Sequence, residues 1–177
     1  MLIQYHYSSS ITIYPLRNKS EAGGFLIDWI RKFNNLTKYK AKRVRMDNVR
    51  EFMATTLKNS FVESGITHET IVPYEHHQAG KIECTNRKIA EAAISLLTKS
   101  NLNLNLWPYA FRQAVSVFNH VPHGMDIKTP YEIVTTQKSY LSILRVFGSK
   151  SFVHNLTLQK DRTPNAKELV HLGVAEN

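Results

Sequence analysis

The chain has 177 residues, 42% apolar and 21% charged, with 23 Lys and Arg against 14 acids and a net charge of +9. That length and apolar share support one buried core with an extension and exclude a disordered polyelectrolyte. No apolar run reaches membrane-spanning length, no basic segment with a compact apolar run opens the chain, and one cysteine, Cys84, makes neither a disulfide framework nor a Cys-rich zinc site, so an intracellular place is expected.

Leu2 to Tyr7 and Ile11 to Leu16 are β-rich runs around Ser8-Ser9-Ser10, which predicts a hairpin limited by Pro15. From Ser20, a candidate cap, Phe25, Leu26, Trp29, Ile30 and Phe33 recur at helical spacing, and Gly23 and Gly24 weaken the start. Ala41 to Met46 reads as a short strand with Val44 and Met46 on its apolar face, ending at Asp47. A helix is expected over Asn48 to Ser64, with Phe52, Leu57, Phe61 and Val62 apolar and Gly65 as its left-handed stop.

Ile66 to Val72 alternates as a strand, and Pro73 to Ala79 reads as a loop before Gly80. A long helix follows from Lys81 to about Ser100. Ile82, Ile89, Ala93, Leu96 and Leu97 take one face, and Glu83, Arg87 and Ala90 another. Asn101 to Asn105 breaks it, and Trp107-Pro108 opens a helix with Phe111, Ala114, Val115 and Phe118 as its stripe. Pro130 to Val134 is a short helix. Leu144 to Phe147 and Ser151 to His154 read as strands around Gly148, and Leu169 to Val174 as a last strand. No internal repeat is present. Residues 1–120 form the expected core domain and 121–177 an extension.

The chemistry concentrates between Arg43 and Arg87. Asp47 would sit just past a strand end and Glu83 in the first turns of the long helix, with 35 residues between them to bring the two carboxylates together. Ligands of α/β domains gather beyond the carboxyl ends of strands. Hard oxygen donors suit Mg²⁺ or Mn²⁺ rather than zinc, and two such ions can drive an in-line displacement on a phosphodiester. The basic residues gather at Arg31 to Arg50 and Lys81 to Arg87, which favours a nucleic acid partner; Lys81, Arg87 and Lys88 are the candidates to hold DNA phosphates beside the acids. Plainer readings stand alongside: a Glu83–Arg87 helix ion pair, Asp47-Asn48 as a helix cap, His76 and His77 as loop residues, and Trp107, Phe111 and Phe118 as core.

Arg45-Met46-Asp47-Asn48-Val49-Arg50-Glu51-Phe52 and Pro73-Tyr74-Glu75-His76-His77-Gln78-Ala79-Gly80-Lys81-Ile82-Glu83, continued by Asn86-Arg87, resemble the paired motifs of copia-type LTR-retrotransposon integrase cores, a part of the Pol polyprotein. The likeness runs on through Leu106-Trp107, Lys128-Thr129-Pro130-Tyr131-Glu132 and Leu144-Arg145-Val146-Phe147-Gly148. The resemblance implies an α/β, RNase H-like fold, Mg²⁺ or Mn²⁺ as cofactor, and processing and joining of DNA ends. It implies element ends and target DNA as partners along with other copies of the chain, a nuclear location, and no membrane. It makes Asp47 and Glu83 the second and third acids of a catalytic triad.

The family's first acid, on a central strand, has no counterpart here, since only Glu21 and Asp28 precede Asp47 as acids. Tyr5-His6 stand where paired acids are usual, Val49 where a glycine is, and Cys84 where an arginine is. The expectation is therefore a truncated, inactive relic of an integrase lacking its central strand. The alternatives are a segment active within a longer polyprotein and a non-catalytic nucleic-acid- or integrase-binding module.

Overall fold

A computed structural model describes residues 1–46, 55–70, 76–124, 127–154 and 166–174, with the backbone alone for 76–79. Among these, the elements are β1 (Leu2–Gln4), β2 (Ile11–Ile13), α1 (Ala22–Leu36), β3 (Arg43–Met46), α2 (Thr55–Glu63), β4 (Thr67–Thr70), α3 (His76–Ser100), α4 (Trp107–His120), α5 (Pro130–Thr135), β5 (Lys150–His154) and β6 (Ala166–Val170). The class is mixed α/β. No described helix is long and apolar enough to cross a membrane.

β1 and β2 pair antiparallel with Leu2 opposite Ile13, and β3 and β4 pair parallel with Arg43 opposite Thr67. The predicted hairpin is present, with shorter strands. Ser9 takes φ 60, Tyr5 N–H donates to the Ser10 carbonyl at 2.8 Å, and Ser10 N–H donates to Ser8 Oγ at 3.1 Å. The three serines thus close the turn with their own polar groups.

Two apolar clusters form on opposite faces of the β1–β2 hairpin. Leu26 and Ile30 of α1, Leu57 and Phe61 of α2, and Ile66 make one, with Ile3, Val44 and Met46 packed against it. Ile11, Ile89, Ala93, Leu97, Ala110, Ala114, Val115 and Phe147 make the other, with Leu2 and Ile13 against it. Consecutive residues Leu2 and Ile3 therefore serve different clusters, as the two-residue period of a strand requires. Thr12, between Ile11 and Ile13, turns the other way and accepts a hydrogen bond from Trp29 Nε1 of α1 at 3.0 Å. The β1–β2 hairpin thus lies between α1 on one side and α3 with α4 on the other, while α2 packs with α1 against the Val44 and Met46 face of β3.

Several sequence expectations need correction. Ser20 lies in a single 3₁₀ turn, Lys19–Glu21, and Glu21 stands at the N-cap of α1, where no side chain caps the helix. Val62 is 80% exposed, because Leu57 and Phe61, four apart, already define the inward face of α2. The start of that predicted helix, Asn48 to Ala54, lies outside the described residues, as do Ile71 to Glu75.

His76 to Ala79 are helical rather than loop: α3 begins at His76 and runs through Gly80, where an added Cβ would meet nothing within 4 Å. A glycine inside a helix costs about 1 kcal/mol against alanine, which a 25-residue helix packed along one face absorbs.

Leu144 to Phe147 is not a strand. Leu144 N–H closes a turn onto the Leu141 carbonyl, the Arg145 carbonyl accepts from Gln113 Nε2 at 3.1 Å, and Phe147 is buried in the α3–α4 cluster, so no ladder edge remains. Gly148 follows at φ +81 against Ser100, where a Cβ would stand 2.4 Å from Ser100 Cβ. The last strand is β6, paired antiparallel with β5, rather than Leu169 to Val174.

Candidate functional site

α3 positions Glu83. Thr85, Ile89, Ala93 and Leu97 are buried, so the helix lies with that stripe on the sheet and α4, and Glu83 and Arg87 stand exposed. Glu83 lines a groove of about 490 Å³ walled on one side by the N-terminal hairpin (Leu2, Ile13, Leu16) and on the other by Asn86, Trp107 and Phe111. The groove is mostly apolar, with the carboxylate at its edge. Among the described residues Glu83 has no ion-pair or hydrogen-bond partner.

The Glu83–Arg87 ion pair of the plainer reading does not form. Arg87 Nε turns the other way, to Glu91 Oε1 at 3.9 Å, an exposed contact that contributes little to stability.

Lys81 and Lys88 line a second groove of about 330 Å³ with Gln4, Ser9, Cys84, Thr85, Phe118, His123 and Gly124. Each residue turns a helix by about 100°, so Lys81 and Lys88 point about 160° and 140° away from Glu83, while Arg87 stands about 40° from it. Of the three basic residues expected beside the acids, only Arg87 shares the side of Glu83. The two lysines flank the opposite groove, and Lys81 Nζ donates to the His6 carbonyl at 3.3 Å.

Asp47 follows Met46, the last residue of β3, and lies outside the described residues. The strand that leads to it is well determined by its neighbours. Val44 and Met46 pack inward, Arg43 and Arg45 face solvent, and both arginines share Glu69 of β4 at 3.2 and 2.8 Å. The Arg45 and Arg43 guanidiniums hold the Glu69 carboxyl below its usual range.

The two acids upstream have other occupations. Glu21 accepts the Arg17 N–H at 3.1 Å, and Asp28 on α1 lies 3.9 Å from Arg31. Among the described residues no three His, Cys, Asp or Glu side chains group as metal ligands.

Trp107 is a residue that pattern reasoning misplaced. Read as core, it is 46% exposed and lines the Glu83 groove. Its place as the first residue of α4, ahead of buried Ala110 and Ala114, is the signal that could have shown this.

No family model matches the chain. Among curated proteins it is similar to the retrovirus-related Pol polyproteins from transposons RE1 and RE2 of Arabidopsis thaliana. They are 29% and 28% identical over 144 residues, 81% of this chain and 10% of each relative. It is also similar to the retrovirus-related Pol polyprotein from transposon TNT 1-94 of Nicotiana tabacum, 29% identical over 152 residues, 83% of this chain and 11% of the relative. The chain spans about a tenth of the length of these relatives. Among solved structures it is similar to a chain of the simian T-cell lymphotropic virus intasome in complex with PP2A regulatory subunit B56 gamma. The TM-score is 0.59 at 20% identity, covering 74% of this chain and 46% of that one. That likeness is one of fold. The resemblance read from the motifs is borne out: the relatives of this chain are retrovirus-related Pol polyproteins of plant transposons.

Proposed function

We propose that this chain is an integrase-core segment of a copia-type retrotransposon Pol polyprotein, RNase H-like in arrangement, that binds DNA and carries two of the three metal-binding carboxylates of such a site. The observation that carries this reading is Glu83 itself. It closes the second motif at the spacing the resemblance requires, and it stands as a carboxylate without a partner among the described residues in the lining of a groove.

A lone accessible carboxylate is a fitting donor for a hard divalent cation, and Asp47 and Glu83 are the residues that would hold Mg²⁺ or Mn²⁺. When bound, such an ion polarises a phosphodiester and lowers the charge repulsion around the attacking oxygen. This chain's own contribution is placement. α3 holds Glu83 at the groove rim, Arg87 one turn on supplies positive charge on the same side, and Asn86 and Trp107 shape the wall.

The two acids that precede Asp47, Glu21 and Asp28, lie before and on α1 and engage the Arg17 N–H and Arg31, and among the described residues no third carboxylate joins Glu83. DNA binding without DNA joining is therefore the activity expected of the chain alone. The placement of Lys81 and Lys88 in a groove apart from Glu83 favours a second reading, a binding module whose affinity owes nothing to the acids.

Purified chain mixed with a labelled duplex end tests both. The integrase reading expects salt-dependent binding, Mn²⁺ enhancement of water-proton relaxation that falls in Glu83→Gln, and no joined product. Joined product from the chain alone would overturn the incomplete-site reading, and Mn²⁺ enhancement unchanged by Glu83→Gln would leave the binding module.

A further inference from the structure

We propose that Tyr5, Tyr7 and Tyr39 form a stacking platform for the bases of an unpaired polynucleotide strand, with Lys38 and Lys81 beside it to take the phosphates. This rests on reading the chain as a nucleic-acid-handling segment but not on the Glu83 groove, which none of these tyrosines lines.

The three rings are contiguous. Tyr5 and Tyr7 have centroids 6.4 Å apart, and each lies 5.8 Å from Tyr39. Phe33, buried in α1, supports the cluster from beneath at 4.8 Å from Tyr5. Packing onto Phe33 explains Tyr5 but leaves Tyr7 with its ring outside, 70% exposed. An aromatic ring held by neighbours and open to solvent has paid its ordering entropy in advance, which is what a base-stacking surface needs.

The electrostatics select the partner. Lys38 Nζ lies 5.4 Å from the Tyr39 ring centroid, and Lys81 Nζ is bonded to the carbonyl of His6, the residue between the two hairpin tyrosines. The segments that build the platform, residues 1–16 and 29–46, hold seven Lys or Arg and no Asp or Glu. Three of the seven have acid partners, Arg43 and Arg45 with Glu69 and Arg31 with Asp28, and no pairing with an acid occupies Lys38 or Lys81 among the described residues. Burial, then Tyr39 and Tyr7, push the Tyr5 hydroxyl above its usual range, so Tyr5 brings no negative charge against a phosphate. Stacking requires bases whose faces are free, and a duplex keeps its base faces to itself. The ligand class is therefore a single strand.

Fluorescence anisotropy of labelled oligothymidylate, oligouridylate and a blunt duplex, titrated with the native chain and three variants, tests this. Tyr7→Ala is expected to weaken single-strand binding roughly tenfold and leave the duplex unchanged, while Tyr7→Phe, which keeps the ring, binds as the native chain does. Lys38→Gln is expected to weaken binding and flatten its salt dependence. Comparable affinity for the two single strands marks a platform that ignores the sugar, and a preference for one names its source; both support the platform. Single-strand affinity unchanged in Tyr7→Ala overturns it, as does a change in sedimentation of the free chain in place of strand affinity, which would make the rings a contact between copies. Failure of the native chain to bind any of the three would take down the nucleic-acid reading along with the platform, whereas duplex binding with an inert Tyr7 defeats the platform alone.

Discussion

Asn119, near the end of α4, gives Ile11 of β2 both hydrogen bonds that a neighbouring strand would give. Its Oδ1 accepts the Ile11 N–H at 2.9 Å and its Nδ2 donates to the Ile11 carbonyl at 2.8 Å. An amide side chain thus closes the outer edge of the hairpin where the buried Ile11 sits. Asn119→Ala leaves two backbone groups unpaired in a partly buried place, and we expect a loss of about 1–3 kcal/mol in urea unfolding, with the slope unchanged. Loss under about 0.5 kcal/mol would mean that water replaces the amide. Nothing in the sequence near Asn119 announces this role, because a polar residue late in a helix reads as solvated until the partner is known. Glu83 is the contrary case. Its motif made it legible from sequence, while its freedom from Arg87 was not, since spacing alone allows Arg87 to pair forward with Glu91 or back with Glu83.

At the scale of elements, the order of strands and helices was legible and their ends were not. α1 announces itself through Leu26, Ile30 and Phe33 at helical spacing and α4 through Ala114 and Val115 of its stripe, all buried. The start of α3 was hidden because Gly80 and two histidines read as loop chemistry, while packing farther along the helix decides its extent. The Leu144 to Phe147 run shows the limit of period reading: a short apolar run takes whatever conformation lets its largest member, Phe147, reach the core.

α5 carries a complete capping box. Thr129 Oγ1 accepts the Glu132 N–H at 3.1 Å, and the Glu132 carboxylate accepts N–H groups of Thr129 and Ser139, each at 3.0 Å. The Ser139 and Thr129 N–H groups hold the Glu132 carboxyl below its usual range. A folded pKa below the unfolded one stabilises above the unfolded value, about 4.3, and that contribution fades as pH falls through the folded value. The melting-temperature gap between the native chain and Glu132→Gln should therefore hold from pH 7 to about pH 5 and close below about pH 4. A gap that widens on acidification would contradict the role given to this carboxylate.

For the whole molecule, two clusters on opposite faces of the β1–β2 hairpin explain how described strands with ladders of only three to five residues hold together. α1 and α2 build one cluster, α3 and α4 the other, and Leu2 and Ile3 link them through alternate sides of β1. The α/β class was legible from alternating periods. The pairings of β3 with β4 and of β5 with β6 and the tyrosine cluster were not, since they depend on contacts between segments far apart in the chain. The functional account rests on one spatial claim, that Asp47 beyond β3 and Glu83 on α3 grip the same cation. Iron-directed cleavage tests it most directly: Fe²⁺ seated in place of Mg²⁺ generates hydroxyl radicals that cut the backbone beside its ligands. The account predicts cuts near both Asp47 and Glu83 in the native chain, and loss of both in Glu83→Gln. Cuts confined to one of the two, or a pair of cuts that persists in Glu83→Gln, would contradict it.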